Sequence, residues 1–401
     1  MNDPMTTPQG TYHLTRFPED PRDRLRAWDA ADAYLLRHLA AAGVLEEAGG
    51  DSGGAGAASC TAFPAVVVLG DRWGALTTAL APHRPTQVTD SFLARQATLA
   101  NLARAGVDPA AVRLLTTQDP PPDTIDVLLV RVPKSLALLE DQLHRLAPAV
   151  RPDTLVLGSG MVKEIHTSTL RTFERILGPT RTSLAEQKAR LIHCAPEAHA
   201  SRGRSPWPYR YALPDGIGVL SGRPVTNHAG VFCADRLDIG TRFFLRHLPR
   251  ARAGQRVVDL GCGNGIVGTA VALAEPGADV LFVDESYQAV ASAEETYREN
   301  TAGADRAGGA EFLVGDGLAE LAPGAVDLVL NNPPFHSHQA TTDATARRMF
   351  TQARRALRPG GELWVVGNRH LGHHLTLRRL FGNSELVASD PKFVVLRAVK
   401  K

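Results

Sequence analysis

The chain has few cysteines and no long apolar run, and both shortages narrow what it can be. Its four cysteines, Cys60, Cys194, Cys233 and Cys262, are scattered through 401 residues with no C-x-x-C pair. That spacing offers neither a disulfide framework nor a cysteine zinc site, and fits reduced thiols in a cytoplasmic protein. No apolar stretch approaches the ~20 residues of a membrane span. The first residues also lack the charged-then-apolar order of a signal peptide. No membrane partner is therefore expected. Charge is nearly balanced, and a net +2 does not announce a nucleic-acid binder. Histidines gather at His336, His338, His370, His373 and His374. No cysteine or acid completes a metal-ligand spacing around them, so no metal is expected. What remains is a chain with 44% hydrophobic residues, long enough for two globular domains.

Chemistry is concentrated in two turns. Asn332-Pro333-Pro334-Phe335 follows the apolar run Val326-Asp327-Leu328-Val329-Leu330, which reads as a strand. Prolines lack the N–H that a sheet ladder needs, so the chain must leave the sheet there. In an open parallel sheet, ligands bind beyond the carboxyl ends of the strands. Asn332 Oδ1 and a carbonyl beside the prolines can accept both N–H bonds of an exocyclic amine, while Phe335 stacks on its ring. A proline-rich surface turn is the plainer alternative.

The second turn is Arg256-Val257-Val258-Asp259-Leu260-Gly261-Cys262-Gly263-Asn264-Gly265, a buried strand ending in glycines, with a helical run from Ile266 to Ala274. Gly263 to Gly268 also fits the dinucleotide pattern G-x-G-x-x-G. Asp259, two residues before the first glycine, would repel a pyrophosphate but could meet a cationic ligand. Asp284 ends the next apolar run, where a carboxylate suits the ribose hydroxyls of any nucleoside cofactor. S-adenosylmethionine carries an ammonium and a sulfonium and no phosphate, so it fits better than NAD. For Cys262, a small residue in a tight turn is a better reading than a nucleophile.

These motifs, with Gly315-Asp316-Gly317 between them, stand in the order and spacing of amino-directed, S-adenosylmethionine-dependent methyltransferases with a Rossmann-like fold. Leu237-Asp238-Ile239-Gly240-Thr241-Arg242, His336 and Val366-Gly367-Asn368-Arg369 refine the likeness. Together they resemble the bacterial ribosomal RNA guanine-N2 methyltransferases (the RsmC/RlmG group). Leu69-Gly70-Asp71-Arg72-Trp73-Gly74 and Arg131-Val132-Pro133-Lys134-Ser135 resemble the large-subunit branch. The resemblance implies catalysis by Asn332, Pro333 and Phe335 on a guanine N2. It implies S-adenosylmethionine held by the glycines at 261, 263 and 265, by Gly240 and Thr241, by Asp259, by Asp284 at the ribose and by Asp316 at the adenine amine. Its implied partner is ribosomal RNA, 23S in that branch, with His336 lining the substrate pocket.

The first half repeats the second. Ala65 to Gly70, then Gly74, matches the strand and turn ending at Gly261 and Gly265. Val88-Thr89-Asp90-Ser91 matches Val283-Asp284-Glu285-Ser286, and Ile125 to Val130 matches Val326 to Leu330. Val150-Arg151-Pro152 matches Leu357-Arg358-Pro359. The expected fold is α/β, two tandem Rossmann-like methyltransferase domains from internal duplication. The N-terminal copy is expected to be degenerate, because Val68 replaces Asp259, Asp71-Arg72-Trp73 replaces Cys262-Gly263-Asn264, and Arg131-Val132-Pro133-Lys134 stands for Asn331-Asn332-Pro333-Pro334. Expected boundaries are 1–195 for this copy, a proline-rich linker at 196–215, and a catalytic domain at 216–401. Residues 49–59, nearly all Gly, Ala and Ser, read as a surface insertion.

Arginine is unevenly spread. Residues 196–256 hold 10 arginines and 4 acids, and residues 340–380 hold 8 arginines and 2 acids. Guanidinium groups contact phosphates and stack on bases. Arg202, Arg204 and Arg210 are candidate RNA contacts, and the degenerate copy is a candidate for RNA recognition. Four alternatives stay open: methylation of 16S ribosomal RNA, of a protein glutamine or of a small-molecule amine, and a non-catalytic RNA-binding factor.

Overall fold

The computed structural model describes residues 3–20, 23–45, 64–198, 203–334 and 339–401. Expectations for the insertion at 49–59, Arg202, Phe335 and His336 lie outside these residues. The chain divides into two compact units, Met1–Pro206 and Trp207–Lys401.

The first unit opens with a hairpin, β1 (Met5–Thr7) and β2 (Gly10–Tyr12), and helix α1 (Ala30–Ala41). Then come β3 (Val66–Leu69), α2 (Ala75–Ala79), β4 (Thr86–Thr89), α3 (Phe92–Arg104), β5 (Arg113–Thr116), β6 (Ile125–Arg131) and α4 (Leu136–Leu146). It closes with β7 (Val150–Met161), α5 (Thr167–Ile176), β8 (Thr180–Thr182) and β9 (Ala189–Cys194). The second unit opens with another hairpin, β10 (Tyr209–Ala212) and β11 (Pro224–Asn227), and helix α6 (Ile239–Leu245). It continues through β12 (Arg256–Leu260), α7 (Ile266–Ala274), β13 (Asp279–Asp284), α8 (Tyr287–Thr301), β14 (Ala310–Val314), β15 (Val326–Asn331) and α9 (Gln339–Ala356). The last elements are β16 (Leu357–Asn368), α10 (His373–Phe381), β17 (Glu385–Ser389) and β18 (Phe393–Val399). Part of the expected linker is thus a strand: β10 pairs with β11, because Tyr209-Arg210-Tyr211 alternates between the two faces of that small sheet.

Both units hold a seven-stranded sheet of the same order, β5-β4-β3-β6-β7-β9-β8 and β14-β13-β12-β15-β16-β18-β17. In each, six strands run in one direction and one, β9 or β18, runs against them, between β7 and β8 or between β16 and β17. Central strands such as Val66–Leu69 are buried along their whole length, as strands covered by helices on both faces must be. Apolar clusters lie on each side of both sheets. The chain is α/β, with two tandem Rossmann-like domains.

The likeness extends to single bonds. The Asp126 carboxylate accepts from the Ala65 N–H at 2.7 Å, and Asp327 accepts from the Arg256 N–H at 2.6 Å. Arg151 pairs with Asp126 as Arg358 pairs with Asp327. Ser91 caps α3 and Ser286 caps α8, each accepting an N–H three residues on at 3.1 Å. Both second crossings bulge early, between Ile125 and Val127 and between Val326 and Leu328. Register also moves one match. Leu69 pairs with Val130 and Leu260 with Asn331, so Arg131 stands where Asn332 does, one residue along from the sequence match.

Candidate functional site

Strand β12 ends in a turn built on left-handed glycines. Gly265 has φ +75°, and a Cβ there would sit 2.7 Å from Ala293 Cα of α8. Its freedom therefore serves packing. Gly263 has φ +53°, and a Cβ there would meet nothing within 4 Å. That glycine borders open space, so a ligand can approach the backbone closely. The Gly263 N–H donates to Asp284 Oδ2 at 3.0 Å, and Ser286 N–H donates to Oδ1 at 3.1 Å. Burial pushes the Asp284 carboxyl above its ordinary range, against the pull of those donors.

Asp259 is placed differently from its expected position facing a ligand. It is 3% exposed, and its Oδ2 accepts from the Gly268 N–H of α7 at 2.7 Å. The side chain of a strand residue two before the turn points under the turn and ties it to the first turn of the helix. Burial, with Asp284 nearby, pushes its pKa up to about 7. Cys262 is buried, and the same two acids help hold its thiol well above the usual range, which keeps it protonated and unreactive.

At the end of β15 two asparagines diverge. Asn331 is fully buried and donates from Nδ2 to the Leu260 carbonyl at 2.7 Å, locking β15 to β12. Asn332 donates from Nδ2 to Thr241 Oγ1 at 3.0 Å. Thr241 is fixed in turn, because Asp238 caps α6 by accepting the Thr241 N–H at 2.9 Å. Gly240 lies in the same first helical turn, where a Cβ would press on Phe393 at 3.0 Å. These links bring Gly240, Thr241 and Asn332 together. Asn332 Oδ1 is buried and has no hydrogen-bond partner among the described residues. Pro333 is buried and Pro334 exposed.

Asp316, expected to accept from the adenine amine, also has an internal partner: its Oδ1 pairs with Arg348 of α9 at 3.1 Å. Gln352 adds a bond to the Asp316 carbonyl at 3.1 Å. Arg204 is exposed. Arg210 is 60% exposed, 3.7 Å from Glu299 and 3.9 Å from Glu295. Within the histidine group, His373 is buried against the Phe350 ring, and His370 and His374 are exposed. Among the described residues, no group of His, Cys, Asp and Glu is arranged to hold a metal ion, and no helix is long and apolar enough to cross a membrane. One contributor went unread in the sequence: Asn227, fully buried at the end of β11, accepts from Asn264 Nδ2 of the glycine turn at 2.9 Å. A four-residue strand among prolines and glycines carries too little periodicity to reveal it.

The corresponding place in the first unit is filled with charge. Gly74 keeps φ +76° because a Cβ would clash with Thr98 of α3 at 2.6 Å. Arg72, however, stands in place of Gly263, and its Nη2 donates to Glu164 Oε1 at 2.9 Å. Arg131 has no exposed surface. It donates from Nε to Asp32 Oδ1 at 2.8 Å, from Nη1 to the Ser159 carbonyl at 3.2 Å and Glu164 Oε2 at 3.4 Å, and from Nη2 to Asp29. Asp29 caps α1 as Asp238 caps α6, so the Asp32–Arg131 pair replaces Thr241–Asn332. Asp71 turns inward and caps α2 through the Ala75 and Thr77 N–H groups, at 3.0 and 2.8 Å. Trp73 packs into the core, with the Arg16 guanidinium 4.8 Å from its ring.

Comparison with known proteins agrees with this division. Residues 2–198 match the family described as "RLMG N-terminal domain", and residues 222–397 match the "Methyltransferase small domain". A protein of Streptomyces avermitilis called "Ribosomal RNA large subunit methyltransferase G" is 76% identical over 401 residues, covering 100% of both chains. A protein of Aeromonas salmonicida with the same name is 46% identical over 388 residues, covering 97% of each. A solved structure of the T. thermophilus 16S rRNA N2 G1207 methyltransferase, in complex with AdoMet and guanosine, superposes with a TM-score of 0.71. It is 20% identical, spans 100% of this chain and 98% of its own, and so is a likeness of fold. With full-length identity of this order, a degenerate first domain and a second that keeps the glycine turn and its asparagine, the chain belongs to the ribosomal RNA large subunit methyltransferase G family.

Proposed function

We propose that the second unit transfers a methyl group from S-adenosylmethionine to the exocyclic N2 of a guanine in large-subunit (23S) ribosomal RNA, in the cytoplasm, and that the first unit serves RNA recognition. The observation that carries this reading is Asn332, whose amide is oriented by Thr241 and whose Oδ1 is left as a buried acceptor beside the open face of the glycine turn. Open space at Gly263 and the carboxylate of Asp284 next to it fit a nucleoside bearing positive charge and no phosphate. Gly261, Gly263 and Gly265 give the cofactor close backbone approach, Asp284 takes its ribose hydroxyls, and Gly240 and Thr241 lie by its amino-acid end. Asp259 supports the turn from below, and Asp316 lines the adenine side together with Arg348. Bound S-adenosylmethionine supplies an electrophilic methyl on sulfur.

The chain's own work is positioning and charge stabilisation. Enzymes acting on a base take it out of its stack. Asn332 Oδ1 and the Pro333 carbonyl accept the N2 hydrogens, Phe335 stacks on the ring, and His336 lines the pocket. Holding both hydrogens aims the nitrogen lone pair and stabilises positive charge as it develops there. Direct displacement would form the N2–carbon bond as the sulfur–methyl bond breaks, with S-adenosylhomocysteine as the leaving group and the surplus N2 proton lost to solvent. It needs no covalent enzyme intermediate. Arg202, Arg204 and Arg210 contribute phosphate contacts. Incubation with tritiated S-adenosylmethionine and ribosomal RNA from a deletion strain should label large-subunit RNA, with the label in N2-methylguanosine. Label in protein, in a small molecule or in another nucleoside would exclude this reading.

A further inference from the structure

Strand β10 carries Tyr209 and Tyr211, and Trp207 stands before it, separated from Tyr209 by Pro208. Residues two apart on a strand share a face. Here the ring centroids of Trp207 and Tyr209 are 6.5 Å apart, as are those of Tyr209 and Tyr211, the latter pair within 29° of parallel. Tyr211 belongs to the interior, packed with Val225, Ile266 and Ala270. Tyr209 does not, and is 44% exposed. A ring left that open gains little from folding.

Its position suggests a use. Tyr209 lies opposite Asn227 in the hairpin, and Asn227 holds Asn264 of the glycine turn. Trp207 lies beyond the paired residues of the hairpin, its ring edge-on to Tyr209 at 65°. Tyr211 thus roots the row of rings against α7, and Tyr209 lies beside the partner of the turn. Arg210, on the opposite face of β10, is loosely held by Glu295 and Glu299, and exposed Arg204 lies just upstream.

We propose that Trp207 and Tyr209 form a stacking platform for the unpaired nucleotides adjoining the target guanine, with exposed Arg210 of the same strand as a phosphate contact. The proposal rests on the RNA-methylating function argued above. Turning one base out of a stack leaves its neighbours with an uncovered face. Aromatic rings cover such a face whatever the base, because every base has one.

The test uses the full chain and deproteinised large-subunit ribosomal RNA from a deletion strain. Tyr209→Ala and Trp207→Ala should each weaken RNA affinity on the order of 10-fold. Both should raise the KM for RNA while sparing kcat at saturating RNA, and both should leave S-adenosylmethionine affinity unchanged by calorimetry. Tyr209→Phe, which keeps the ring and loses only the hydroxyl, should behave as wild type. Wild-type RNA affinity in both alanine variants overturns the platform, and so does a parallel loss of S-adenosylmethionine binding, which would mark a purely structural role. If the wild-type protein itself neither binds nor methylates RNA, the function falls and the platform with it. If the wild type methylates and the variants match it, the platform alone falls.

Discussion

Asn332 and Arg131 occupy the same place in two sheets of one order, and the difference between them sets what each unit can do. A neutral amide with a spare acceptor can hold an amine, whereas a guanidinium bound to three carboxylates has no acceptor to offer. Asn332→Ala should keep S-adenosylmethionine binding and lose turnover by on the order of 10²-fold, as removal of one transition-state contact does. Unchanged single-turnover rates would remove Asn332 from the mechanism. Asp259 makes a second prediction. Its folded pKa of about 7 lies above the ordinary carboxylate value, so between about pH 4 and pH 7 the folded state holds a proton that the unfolded chain releases. Stability of the second unit should therefore fall as pH rises through that window and level off above it. Asp259→Asn keeps an acceptor for Gly268 N–H and cannot ionise, so urea midpoints compared at about pH 5 and about pH 8 should lose this part of the decline. An identical pH slope in wild type and variant would contradict the shift.

At the scale of elements, the two glycine turns separate packing from ligand binding. Gly74 and Gly265 both crowd the following helix, at Thr98 and Ala293. Each alanine substitution should cost about 1–2 kcal/mol for the left-handed backbone, with more from the clash. Only Gly265→Ala should weaken S-adenosylmethionine binding, while Gly74→Ala should lower stability of the first unit and leave titration with the cofactor unchanged. Equal loss of binding in both would contradict the division of labour. Strands β3, β6, β12 and β15 were legible in sequence because apolar runs broken by at most one aspartate, and ending near glycine or proline, mark buried parallel strands. The duplication was legible because those runs recur in one order. Less could be read where partners are remote. Asp29 and Arg131 are 102 residues apart, and only the packing of α1 against the sheet brings them together. The same blindness placed Arg131 one residue from its true counterpart. Nor could sequence alone show that Asp259 accepts from Gly268 N–H or that Asp316 pairs with Arg348. Motifs reveal which groups are present; the bonds that occupy those groups come from elsewhere in the chain.

For the whole molecule, calorimetry on the full chain should find one S-adenosylmethionine per chain, because Arg72 and Arg131 fill in the first unit what Gly263 and Asn332 leave open in the second. Two equivalent sites would refute this. RNA affinity should fall steeply with salt, as phosphate contacts require; a flat response would argue against the arginine stretches as RNA contacts. The ion cluster in the first unit also bears on whether that cleft can open. Removing Arg131 alone would strand the buried carboxylate of Asp32, since Arg72 still pairs with Glu164 and Asp29, at a cost of roughly 3–5 kcal/mol for a broken buried pair. Removing the acids first would strand the guanidinium. Every single step back toward an open cleft passes through a less stable protein, so the cluster works as a lock: the first cleft stays shut against any one substitution.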